Sequence, residues 1–283
     1  MAWLREEQPN LVACVRRAAG TGEHGTAWRI AAALFEFFYR QKAWDDWVTT
    51  HTLGVASARA AGERDGVASL LGRLAIAHRE RMEHEKAEEC FREALTIWTE
   101  LGDDEGQAWV AGRYAHACRE QGRYDEAVEL CLRALAACDR SGALQEAGIV
   151  HNNLSGIHRD AGDLDEALTH AEEAIAAFEE TGYGRGRAWA RNNAANVHRD
   201  AGRFTAAIEL YERVLDERRD LGDDYGAALT IRELGHALCA SGDLAAGTAR
   251  LRECVDLFAP DDANAEIARR LLATYEAGAA DAD

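Results

Sequence analysis

The chain has few helix breakers. Its 283 residues include two prolines, Pro9 and Pro260. Proline removes a backbone donor and crowds the preceding helical turn, so long uninterrupted helices are the natural reading of everything between them. Lysine is scarce: Lys42 and Lys86 stand against thirty arginines in a basic total of 32. No Gly-Lys pair occurs, which excludes the glycine loop and lysine that cradle nucleotide phosphates. No apolar run reaches the ~20 residues of a membrane span. The opening Met1-Ala2-Trp3-Leu4-Arg5-Glu6-Glu7 lacks the pattern of a secretory leader. The seven cysteines are odd in number and form no CxxC, so neither a disulfide framework nor a zinc knuckle is indicated. A reduced, cytoplasmic protein without membrane contact is expected. Positive charge is also short: 50 acidic residues against 32 basic give a net charge of −18, which repels phosphate backbones and argues against nucleic acid as a direct partner.

What is present is a period. Gly62, Gly102, Gly142, Gly182 and Gly222 fall forty residues apart, and Gly122, Gly162, Gly202 and Gly242 repeat the step half a block out of phase. Constant spacing with drifting residues marks a stacked repeat protein. In the block Gln107 to Gly142, the residues Ala108, Val110, Ala111, Tyr114, Ala115 and Cys118 recur at helical spacing, and Gly122 follows as a left-handed cap. Asp125 and Glu126 then open a second helix, where negative charge suits the helix dipole. Its apolar stripe is Ala127, Leu130, Cys131, Ala134, Leu135 and Cys138.

Overlaid blocks show small residues in two columns: Ala87, Ala127, Ala167, Ala207 and Gly247, and Ala75, Ala115, Ser155, Ala195 and Gly235. Such columns let two helices of a unit approach closely. The strings Asn153-Leu154-Ser155-Gly156-Ile157-His158 and Gly162-Asp163-Leu164-Asp165-Glu166-Ala167 resemble a tetratricopeptide repeat (TPR), as does Gly122-Arg123-Tyr124-Asp125-Glu126-Ala127. The usual unit is about 34 residues. Six more here, around Gly142 to Ala147, make it similar to the longer repeats of kinesin light chains and bacterial regulators. The resemblance implies an all-α, right-handed superhelical solenoid of antiparallel helix pairs with a capping helix. The expected layout is an N-terminal packing helix and junction over 1–21, an aromatic-rich divergent unit over 22–61, five tandem units over 62–261, and a capping helix and tail over 262–283. In the cap, Ile267, Leu271 and Leu272 are expected to face inward.

The segment Ala2-Trp3-Leu4-Arg5-Glu6-Glu7-Gln8-Pro9-Asn10-Leu11-Val12, with Trp28 and Trp44-Asp45-Asp46-Trp47, also resembles the junction before the repeats in actinobacterial signal-transduction ATPases and antibiotic regulatory proteins. In that family a DNA-binding domain and an ATPase core precede a repeat sensor. Those parts are missing from this sequence, so either an excised sensor or a free-standing relative is implied.

No reaction centre can be assembled, and no cofactor or metal ion is expected. His158-Arg159-Asp160 and His198-Arg199-Asp200 are superficially like a kinase catalytic loop, but Asp165 and Thr205 stand where its asparagine belongs, and no DFG occurs. The ten histidines include no HExxH pair. Ser155 sits in a packing column rather than a nucleophile elbow.

In this repeat class the first helix of each unit lines the concave groove. One of its columns holds Gly72, Gly112, Asn152, Asn192 and Arg232. The next holds Ile76, His116, Gly156, Asn196 and His236. A third holds Arg79, Arg119, Arg159 and Arg199, each followed by an acid, with Trp109 and Trp189 nearer the helix start. Asparagine can pair with both sides of a peptide bond, arginine offers a planar fork to carboxylates, and tryptophan is an anchor typical of binding hot spots. The candidate ligand-binding residues are therefore Asn152, Arg159, Trp189, Asn192, Asn196, Arg199, Arg119, Trp109, Arg232 and His236, with a protein or extended peptide as partner and no catalysis. A folded partner met by a scaffold or oligomerisation surface is the alternative. The arginine column reads equally as a ladder of ion pairs between neighbouring units.

Overall fold

The computed structural model describes residues 2–258 and 262–280, and Pro260 lies outside them. The described residues are helical apart from short turns and contain no strand. They divide into two compact units, Met1–Ala143 and Leu144–Asp283. The first contains α1 (Ala2–Gly20), α2 (His24–Ala33), α3 (Phe35–Gln41), α4 (Trp44–Ala61), α5 (Arg64–Glu80), α6 (His84–Leu101), α7 (Asp104–Glu120) and α8 (Tyr124–Ser141). The second contains α9 (Leu144–Ala161), α10 (Leu164–Glu180), α11 (Gly184–Asp200), α12 (Phe204–Asp220), α13 (Asp224–Ser241), α14 (Leu244–Leu257) and α15 (Ala263–Ala280).

Each unit is a stack of hairpins, α5 with α6 and α7 with α8 in the first, α9 with α10, α11 with α12 and α13 with α14 in the second. The periodic glycines make the turns. Gly62 through Gly242 all have positive φ, between 63° and 101°. After α9, Gly162 N–H bonds to Arg159 O at 3.1 Å and Asp163 N–H reaches His158 O at 2.8 Å, so two of the carbonyls in the last turn of the helix are satisfied. The same phase continues backwards to Gly22, Lys42 and Met82, and the latter two adopt φ of 57° and 61° with side chains that pay a steric penalty there.

The small columns do what their size suggests. Ala75, Ala115, Ser155 and Ala195 are fully buried, as are Ala127, Ala167 and Ala207. The approach is close between α13 and α14, where a Cβ on Gly247 would lie 2.6 Å from Cys239 N and 2.8 Å from Gly235 O. Backbone cannot yield as a side chain can, so both partners in this last hairpin are glycine.

The ends depart from expectation. The first helix runs through Pro9 rather than starting after it. Pro9 and Arg5 are both exposed, so water can satisfy the carbonyl that the missing N–H leaves unpaired. The first helix of the aromatic-rich segment is broken at Leu34 into α2 and α3. In α15 the inward residues are Ala265 and Ala268, both fully buried, whereas Ile267 is 44% exposed. The cap lies close enough to admit alanine.

Candidate functional site

In the N-terminal unit, the first-helix face is an aromatic and arginine ridge. Trp109 on α7 lies over Gly72 of α5, where a Cβ would come within 2.8 Å of Trp109 Cζ3. Glycine at position 72 is a seat for that tryptophan. Trp109 meets Phe35 edge-on, with centroids 6.4 Å apart. The Arg73 guanidinium sits 5.1 Å above Phe35 and that of Arg113 4.1 Å above Trp109, a favourable stacking of cation on ring. Between α5 and α7, Ser69, Arg73, Trp98, Asp103, Glu105, Gly106 and Trp109 line an open pocket of about 290 Å³. Two indoles supply apolar walls, and both charge signs are present around them. A larger cleft of about 760 Å³, at Gln8, Trp44, Arg81 and Glu83, is lined by charges already paired with one another.

The arginine column forms a ladder. Arg79 reaches Glu120 at 3.5 Å. Arg119, half-buried on α7, lies near His116, which burial first and then Arg79, Arg119 and Arg113 lower to about 3. His116 is therefore neutral.

In the C-terminal unit the same column also forms ion pairs. Arg159 pairs with Asp160 at 3.0 Å and Asp200 of the next repeat at 3.7 Å. Arg199 pairs with Asp200 at 2.8 Å and with Glu233 of α13. Arg232 pairs with Glu233 at 2.6 Å. Burial by itself would raise the Glu233 carboxyl, but Arg232 and Arg199 outweigh it and hold it below the ordinary carboxylate range.

The asparagines do not stand in one open row. Asn152 is fully buried, and its Oδ1 accepts a 2.9 Å hydrogen bond from Asn193 Nδ2 on α11. The other end of that amide, Nδ2, has no hydrogen-bond partner. Asn196 is buried and accepts a 2.6 Å bond from the Tyr211 hydroxyl. Both were expected on an open wall and instead lie between helices, because the hairpins approach closely enough to cover them. Asn192 is half-buried and accepts from Thr230 Oγ1 at 3.2 Å.

The cap covers two further candidates. Arg232 Nη1 donates to Asn264 Oδ1 of α15 at 2.6 Å. His236 lies against Tyr275 of α15, with centroids 6.0 Å apart, and burial is the main cause of its lowered pKa. Trp189 is the most open of the ten candidates, 37% exposed on α11.

The structure thus brings Arg159, Arg199 and Arg232 into ion-pair contacts, leaves Trp189 beside Asn192 on an accessible helix face, and places Trp109 in a separate ridge. Sequence reasoning missed Phe35, Arg73 and Arg113. A signal existed: Arg73 and Arg113 share a forty-residue column with Asn153 and Asn193. One group among the described residues also has a metal-binding donor set: His151, His170 and Glu173, on α9 and α10.

Stacked hairpins whose first helices carry matched rows of side chains define a repeat protein suited to contact along an extended surface. The chain belongs to the tetratricopeptide repeat family, whose model matches residues 66–140 and 146–220. BtubC (BKLC) from P. vanneervenii is similar in fold at 22% identity and a TM-score of 0.66, over 76% of this chain and 91% of that one. A Rap protein complexed with Competence and Sporulation Factor is similar at 15% identity and a TM-score of 0.70, over 90% of this chain and 76% of that one. Aspartyl phosphate phosphatase F from Bacillus subtilis is similar at 11% identity and a TM-score of 0.65, over 88% and 74%. At these identities the likeness is one of fold. No curated protein sequence matches the chain. None of the helices among the described residues is long and apolar enough to cross a membrane.

Proposed function

We propose that this chain is a non-catalytic module that binds a protein or extended peptide segment through the first-helix faces of its repeats. The observation that carries this reading is the pair Trp109 and Trp189. They occupy the same register position two blocks apart, and both indoles keep surface open to solvent. An accessible tryptophan beside hydrogen-bonding and cationic groups is the composition of a binding hot spot. In the N-terminal unit the contact set is Trp109 with Arg73 and Arg113. In the C-terminal unit it is Trp189 with Asn192. Arg119, Arg159, Arg199, Arg232 and His236 shape the electrostatics of these faces, and Asn152 and Asn196 hold their helices in place. The net charge of −18 favours a neutral or basic segment.

The setting we infer is cytoplasmic bacterial regulation, with this chain acting as a sensor of the kind that follows the ATPase core in actinobacterial regulators. Its support is the likeness of the aromatic junction around Trp3, Trp28, Trp44 and Trp47, together with a fold shared with a Rap protein that is complexed with a factor.

The test begins with capture of partners from host lysate on immobilised protein, read by mass spectrometry. The affinity of the captured segment is then measured with Trp109→Ala and Trp189→Ala. Truncating an anchor costs about 2 kcal/mol of binding, or roughly thirtyfold in Kd, with melting temperature unchanged. Binding that survives both substitutions, or that disappears only when the variants unfold, refutes the reading.

A further inference from the structure

One block departs from the repeat pattern in a way that packing does not require. At forty-residue spacing, His151 corresponds to Ala111 and Arg191, His170 to Leu130 and Leu210, and Glu173 to Arg133 and Arg213. Neighbouring blocks have apolar or cationic residues at these three positions, and this block alone of the three has metal-donor side chains at all of them. His151 projects from α9, and His170 and Glu173 lie one turn apart on α10 of the same hairpin.

The donor atoms form a compact triangle. His151 Nδ1 is 3.2 Å from His170 Nδ1 and 2.9 Å from Glu173 Oε2. His170 Nδ1 is 2.8 Å from the same oxygen. Metal–nitrogen bonds of about 2.0–2.1 Å in a tetrahedral site put neighbouring donors ~3.3 Å apart, so small outward shifts fit the triangle to an ion above its plane.

Protons alone satisfy this triangle poorly. A carboxylate oxygen only accepts, and a ring nitrogen either donates or accepts. With both Nδ1 atoms protonated, both can donate to Glu173, but the two N–H groups then crowd each other. With one of them bare, its lone pair faces the carboxylate oxygen at under 3 Å. A cation makes all three contacts attractive.

We propose that His151, His170 and Glu173 bind a single borderline divalent transition ion, Zn²⁺ foremost, with a coordination position left open. Two imidazoles and one carboxylate suit Zn²⁺, Co²⁺ or Ni²⁺ better than Mg²⁺ or Ca²⁺. The side chains are 20%, 24% and 47% exposed, so an ion can enter from solvent and keep water or a partner's side chain as a further ligand. His158 stacks on the His170 ring at 5.5 Å and 29°, which steadies its plane. The bound ion would clip α9 to α10 and stabilise that hairpin by linkage.

The test uses untagged full-length protein stripped with EDTA and titrated with Zn²⁺ by calorimetry and with Co²⁺ by visible absorption. The expected result is one ion per chain, an intense low-symmetry Co²⁺ band, and at least tenfold weaker binding in His170→Ala and in Glu173→Gln, while His198→Ala binds as the parent does. Long-range imidazole ¹H–¹⁵N spectra of the unmutated protein supply a readout independent of whether the variants fold: Zn²⁺ must shift the ring nitrogens of His151 and His170. Absence of binding, binding unchanged in both variants, or shifts confined to other histidines overturns the proposal.

Discussion

The N-terminal and C-terminal units are built from the same hairpin and both pair arginine with carboxylate, yet among the described residues only the first also stacks cations on rings. Six of the seven tryptophans lie before residue 144, and all four cation–ring pairs among the described residues are there: Arg29 on Trp28, Lys42 on Trp44, Arg73 on Phe35 and Arg113 on Trp109. In the C-terminal unit, arginine meets carboxylate. Arg191 joins Glu179 and Glu217, Arg199 joins Glu233, and Arg232 shares Glu233. A ring attracts a cation without itself being charged, so removing the cation leaves no charge behind on the ring. A half-buried carboxylate between two arginines is different, because its loss leaves two cations close together and poorly solvated. One scaffold thus carries shared carboxylates in both units, Glu88 between Arg92 and Arg123 in the first and Glu233 between Arg199 and Arg232 in the second, and adds ring-stacked cations in the first.

The largest test of this contrast is Glu233→Ala. Losing the shared carboxylate should destabilise the C-terminal unit by about 3 kcal/mol. The cation–ring contact above Trp109, which Arg113→Ala removes together with the 2.9 Å hydrogen bond from Arg113 Nη1 to Trp109 O, should itself be worth only about 0.5–1 kcal/mol to the N-terminal unit. Amide exchange resolved by region, combined with denaturant titration, measures both. Equal costs would remove the distinction.

Acid should separate the units next. His51 is fully buried on α4, and burial foremost, then Arg73, lowers it from 6.5 to about 3, with a hydrogen bond to the Trp47 backbone opposing the shift. The unfolded imidazole takes up a proton as pH falls through about 6.5, while the folded one stays neutral until about 3. The unfolded state therefore binds more protons across that window. Its contribution to stability is complete above the window and declines by about 1.4 kcal/mol per pH unit within it. His116 in the same unit acts in the same direction. His198 and His236 in the C-terminal unit are also lowered, with burial the first cause in each, but both are half-buried where His51 is fully buried. Glu233 loses its contribution only below the ordinary carboxylate value of about 4.3. Between pH 7 and pH 5, exchange protection should fall more in the N-terminal unit, and His51→Phe should flatten the dependence. A uniform fall across both units would contradict this account.

The smallest effect concerns a turn. Met82 holds the left-handed conformation that Gly122, Gly162, Gly202 and Gly242 adopt in equivalent turns, and its side chain is 72% exposed. Met82→Gly should stabilise the N-terminal unit by about 1 kcal/mol, seen as a higher denaturation midpoint. No gain would mean that the side chain contributes packing that its exposure hides.

Much of the fold was legible because glycine spacing and small-residue columns are local consequences of backbone geometry. A left-handed turn favours glycine because a side chain is strained there, and Ala75, Ala115 and Ala195 are small because another helix lies against each of them. Met82 and Lys42 show how far the phase could be trusted, since the turn persists where the glycine does not. The candidate site was less legible. A column position places a residue on a helix face but not at a depth. Asn152 and Asn192 share a column, yet one is sealed against Asn193 and the other stays half-open beside Thr230. The cap helix concealed Arg232 and His236 for the same reason, because its docking depends on Ala265 and Ala268 rather than on the expected Ile267.

By itself the sequence determined the helical hairpin, its forty-residue period, its turns and the membership of its small columns, because each follows from interactions within a few turns of chain. Only the tertiary structure decided which polar side chains stay accessible, which arginines meet rings and which meet carboxylates, and that His151, His170 and Glu173 converge. Those outcomes depend on distances between helices, and a spacing along the chain carries no record of how closely two helices will pack.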